Sequence, residues 1–111
     1  MGNFNEFTTN LTDGLTQLAK KEIPGLVNEL VSSGNQFAVS LEQDIKQWTA
    51  QLASGAIDSD DFQSLVKGKA DIFDMKKITA KGLAQARVDA IEGMVTDLIV
   101  QTALKVFVPN A

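Results

Sequence analysis

Apolar residues recur at steps of three and four along most of this chain, a spacing that commits it to helices rather than strands. The clearest stretch is Phe37, Leu41, Ile45, Trp48 and Leu52, spaced four, four, three and four residues apart. Gly34 suits a helix C-terminus and Asn35 a fresh N-cap, so this helix is predicted to run from about Asn35 to Ser54–Gly55. The same register carries back through Leu30 and Gly34, so a single bent helix from Pro24 is the alternative.

Ahead of it, Asn3-Phe4-Asn5-Glu6 has the spacing of a capping box, and Phe4, Phe7, Leu11 and Leu18 follow on one face with Leu15 beside them. Gly14 interrupts that face at a cost of about 1 kcal/mol relative to alanine, which leaves Asn10 or Thr12 as other possible starts. Pro24 biases Ile23 away from helical geometry. The first helix then stops near Glu22, or Pro24 opens a short second piece carrying Leu26, Val27, Leu30 and Val31.

Asp58 is a strong N-cap, with Asp60 and Asp61 in the first turn, where negative charge complements the helix dipole. Ile57 before the cap and Phe62 beyond it have the spacing of a hydrophobic staple on a short helix ending near Gly68. From Lys69 or Ala70 no proline appears until Pro109. Phe73, Ala80, Ala84, Val88, Ile91, Val95, Leu98 and Val106 share one face of such a helix, and Gln85, Asp89, Glu92 and Thr96 the other. An unbroken helix of roughly 38 residues would be about 57 Å long and would overhang a globule whose radius of gyration is about 13 Å. It breaks at Gly82 or Gly93, or the bundle is elongated, or a second chain covers the overhang; elongated packing with self-association is the reading adopted. The expected fold is all-α: one domain over residues 1–111, an elongated up-and-down bundle of four helices, or five if Pro24 separates two pieces, with a long C-terminal helix.

Composition narrows the chemistry. The chain has no histidine, cysteine or tyrosine, which removes imidazole, thiol and phenol chemistry, disulfides, and metals held by His or Cys. No cofactor is expected. No segment reaches the roughly 18–20 apolar residues of a membrane span, and Met1-Gly2-Asn3-Phe4-Asn5-Glu6 lacks the pattern of a signal peptide, so a cytoplasmic setting is expected. The net charge of −4 is uneven. Lys67, Lys69, Lys76, Lys77, Lys81 and Arg87 stand against Asp71 and Asp74, a local balance of +4, while the remainder balances at −8. An acidic chain is a poor general ligand for nucleic acid; the basic stretch is expected to meet an acidic surface of its own fold or of a copy.

Asp58-Ser59-Asp60-Asp61 resembles a calcium loop only superficially, because Gln63 and Lys69 stand where the loop needs glycine and glutamate. Asp89 and Glu92 leave a carboxylate metal site formally open, but a solvated helix face is the plainer reading. Arg87, at the edge of the apolar stripe, is expected to lie along the core boundary, or to pair with a carboxylate of another helix or an anionic ligand. The run Leu98–Val108 is apolar almost all round and must be buried on several sides, either as a central core helix or as an oligomer seam; its β-branched residues also allow an extended tail. The expected function is a non-enzymatic interaction or assembly module forming homo-oligomers through Leu98, Ile99, Val106 and Phe107. The alternative is a carrier of an apolar or amphipathic small molecule, with Arg87 or Trp48 at the mouth of its pocket.

Overall fold

The computed structural model describes residues 3–73 and 75–108, with Lys77 described by its backbone alone. Met1, Gly2, Asp74 and Pro109, used above, lie outside the described residues. The described residues are all-α: α1 (Phe4–Glu22), α2 (Val27–Ser40), α3 (Glu42–Ser54), α4 (Ser59–Lys67), α5 (Lys76–Thr79) and α6 (Gln85–Phe107), with 3₁₀ turns at Pro24–Leu26 and Ala70–Ile72. Apart from the single turn of α5, these are the five helices that a break at Pro24 implies. The bundle is elongated, 44 × 23 × 20 Å.

Helix α1 starts where its sequence says. The Asn3 side chain accepts from the Glu6 amide at 2.8 Å, and the helix runs through Gly14 without a break. Its buried row is Phe7, Leu11, Leu15 and Ala19, at steps of four, with Phe4 and Leu18 at the margins. Ile23 leaves helical geometry before Pro24 (φ −144°, ψ 68°), and the proline then opens the 3₁₀ turn leading into α2.

Gly34 and Asn35 are not caps: α2 passes through both. A Cβ on Gly34 would lie 2.8 Å from both Cδ atoms of Leu15, so the missing side chain is what lets α2 approach α1. Asn35 serves the same contact, donating through Nδ2 to Thr12 Oγ1 at 3.1 Å. The break between α2 and α3 comes seven residues after Gly34, at Leu41 (φ −100°, ψ 11°), where the Ser40 hydroxyl donates to the Phe37 carbonyl at 2.6 Å. The buried register continues across the bend through Phe37, Leu41, Ile45 and Trp48, so the two pieces amount to the bent-helix alternative.

Gly55 ends α3 in left-handed geometry (φ 83°), and the Ala56 amide donates to the Gln51 carbonyl at 2.8 Å, closing a Schellman motif. Asp58 then caps α4 reciprocally: its side chain accepts from the Asp61 amide at 2.8 Å, and Asp61 accepts from the Asp58 amide at 3.1 Å. Phe62 is fully buried and Ile57 packs against the core, as a staple requires.

The long helix expected from Lys69 or Ala70 is corrected. Residues 69–73 and 75–84 form instead a strap of short turns, which buries Phe73, Met75 and Ile78 and stacks Phe73 on Phe37 at 4.6 Å. That burial overrides the local helical pattern, and Gly82 (φ +84°) turns the chain into α6. Gly93 lies inside α6 without interrupting it. At 23 residues, α6 is about 34 Å long and fits within the bundle. It packs on α1, α3, α4 and α5. The tail is helical to Phe107 rather than extended.

The two kinds of glycine should respond oppositely to alanine. Gly34→Ala is expected to cost about 1–3 kcal/mol, because fully buried Leu15 has little room to give. Gly93→Ala, where an added Cβ meets nothing within 4 Å, is expected to stabilise by about 0.5–1 kcal/mol. Equilibrium urea unfolding of both variants is the check, and shifts of the same sign would refute the close α1–α2 approach.

Candidate interaction surface

Helix α6 supplies most residues singled out from the sequence, and its surroundings separate them. Ile99, Val106 and Phe107 are buried by the chain itself, Phe107 against the Phe7 ring at 5.8 Å between centroids. In the folded monomer these three are core. Thr96, expected on the polar face, is buried too, and its hydroxyl donates to the Glu92 carbonyl at 2.8 Å. In its C-terminal half α6 is buried over more than one stripe, while Asp97, Gln101 and Lys105 leave one face exposed.

Leu98 is different. It is only partly buried, and it sits in the notch that Gly14 leaves in α1: a Cβ there would lie 2.9 Å from Leu98 Cδ1. Around this contact an open groove of about 400 Å³ runs between the two helices. Asn10, Asp13 and Gly14 form one wall, and Leu98, Gln101, Thr102 and Lys105 the other. Each wall repeats at three- and four-residue steps, so the two faces were readable from spacing; their juxtaposition was not. Asp13 and Lys105 are both exposed, and among the described residues neither takes part in an ion pair.

Arg87 does pair with a carboxylate of another helix. Its Nη2 donates to Glu22 Oε1 at 3.0 Å and to the Glu22 carbonyl at 2.8 Å, at the C-terminus of α1. A cation there also answers the helix dipole and one of its unpaired carbonyls. The guanidinium side chain is 40% exposed and its partner 17%, so the pair is worth at most about 1 kcal/mol. Trp48 is buried in α3, edge-on to Phe62 of α4 at 6.4 Å. Neither Arg87 nor Trp48 lines the groove.

The basic stretch finds acids elsewhere in its own fold: Arg87 meets Glu22, and Lys67 Nζ lies 3.8 Å from Asp97 Oδ1. Asp89 and Glu92 do not gather a third ligand, and among the described residues no group of three acids could hold a metal ion. Asp89 instead accepts from Gln85 Nε2 at 2.8 Å. Burial, with a smaller contribution from Asp89 one turn away, raises the Glu92 carboxyl above its ordinary value of 4.5.

The sign of that shift is the reverse of the common one for an acid. The folded chain holds the proton more tightly than the unfolded chain, so stability falls as pH rises from the ordinary value through the raised one. Glu92→Gln is therefore expected to stabilise the fold at neutral pH and to change little below about pH 4. Urea unfolding of both proteins at pH 4 and pH 7 checks this, and an equal effect at the two values would refute it. Compared with protein families, with characterised proteins and with solved structures, the chain matches none.

Proposed function

We propose that this chain is a non-enzymatic interaction module that associates with copies of itself along the outer edge of the α1–α6 seam. The observation that carries the reading is the placement of Asp13 on one wall of the groove and Lys105 on the other. A two-fold axis laid along such a groove sets Asp13 of each copy against Lys105 of its partner, the self-complementarity that an isologous interface needs. Leu98, between the walls, supplies the apolar contact. The composition supports the same class of function to the extent that a chain without histidine, cysteine or tyrosine has no imidazole, thiol or phenol chemistry.

The association is weak and reversible, because exposed ion pairs contribute only about 0.2–1 kcal/mol each. Sedimentation equilibrium across a concentration series is the direct measurement. Asp13→Lys and Lys105→Glu are each expected to weaken association roughly tenfold, and the double reversal to restore it. A protein that stays monomeric at high concentration would dispose of the reading, and so would single variants that associate as the parent does.

A further inference from the structure

The strap and the last helix are nearly one element. Helix α5 is already helical over Lys76–Thr79, and Ala80 keeps right-handed helical angles (φ −61°, ψ −17°). Helix α6 resumes at Gln85, after Ala84 at φ −60°, ψ 145°. Only residues 81–84 stand between them, and the turn rests on Gly82 at φ +84°, a conformation an L-residue resists. Between Lys76 and Phe107 the sequence holds no proline. The local preference is thus for one helix about 48 Å long, more than the 44 Å long axis of the bundle.

A straightened hinge draws α6 away from α1, α3 and α4 and uncovers Ile99, Val106 and Phe107. The site α6 has vacated is shaped to bury that row again, and a second copy in the same state offers an identical one. We infer that α6 exchanges between copies about a hinge at Gly82, so that each copy's last helix completes the core of the other. The inference goes beyond the groove contact proposed above: beside that weak, rapidly reversible association it adds a second, slow dimer in which the buried row of α6 is the intermolecular contact. The closed monomer is favoured on dilution, because closure costs no association entropy. The exchanged dimer gains the helical bonds of the hinge and is favoured by concentration. Interconversion is slow, since α6 must leave the core.

Two hinge variants of opposite sign test this. Gly82→Ala opposes the left-handed turn and favours helix, and is expected to shift the balance towards the exchanged dimer by roughly 30-fold per chain. Ala84→Pro suits the φ already present in the turn and breaks a continuous helix, and is expected to shift it the other way by roughly 100-fold. Each protein is refolded from denaturant at high concentration, then diluted and followed by light scattering and by mixing of two differently labelled samples. The expected result is a fraction of dimer that survives dilution for hours, increased by Gly82→Ala, suppressed by Ala84→Pro and indifferent to reversal of Asp13 and Lys105, beside the rapidly reversible association that those reversals weaken. If every dimer dissociates promptly and follows the charge reversals, with no persistent fraction, groove docking is upheld and exchange is overturned. Persistent dimers in equal yield from both hinge variants overturn exchange as well, and no association in any sample overturns both readings.

Discussion

Enclosure of α6 is the constraint on which the rest of the fold depends. Ten residues of this helix are buried, and they point in too many directions for a single neighbour to cover. The chain answers with four contacts: α1 lies along it, α3 and α4 close another side, and α5 seals its start. That requirement explains features that look unrelated in the sequence. Gly14 lets α1 accept Leu98, and Gly34 in turn lets α2 settle on α1 over Leu15. Arg87, from the first turn of α6, reaches the C-terminus of α1 and fixes how the two helices run past each other. The glycines serve translation of one helix towards another, while the arginine serves register.

The same enclosure explains why residues 69–73 and 75–84 abandon the helix their pattern favours. Extending α6 backwards would leave Phe37 uncovered on α2 and Phe73, Met75 and Ile78 without a common site. Folding the strap back buries all four and stacks the two phenylalanine rings. Burial of a large apolar side chain contributes about 1.5–3 kcal/mol, whereas helix propensity distinguishes most residues by less than about 0.7 kcal/mol. Tertiary burial therefore wins, and the glycine at 82 makes the necessary turn without steric cost.

What was legible in the sequence follows from the range of the interaction responsible. The Asn3 and Asp58 caps, the break at Pro24 and the Gly55 terminus are set by hydrogen bonds or steric clashes spanning a few residues, and the structure places each where its residues imply. Gly34 was misread as a terminus because a glycine that ends a helix and one that admits a neighbour look alike until the neighbour is known. The bend at Leu41 carries no such local mark, since Thr8 and Thr49 make the same backward hydroxyl bond as Ser40 inside unbroken helices. Arg87 was rightly suspected of pairing with another helix, but Glu22 could be named only once α1 and α6 were side by side. The groove shows the same limit: both of its walls are ordinary helical faces, and only their meeting makes a surface.

Core helix and oligomer seam, the two readings of Leu98–Val108, look exclusive. They need not be. A helix whose apolar face is buried by its own chain has, in any second copy, a site of equal fit, because the sequences are identical. What distinguishes the states is not the contact surface but the short linker that decides which copy it belongs to. Here that linker is a glycine-dependent turn between two stretches already helical, so small local terms act on an otherwise balanced comparison. The buried area of α6 then sets how slowly the states interconvert, while the hinge sets which one is populated.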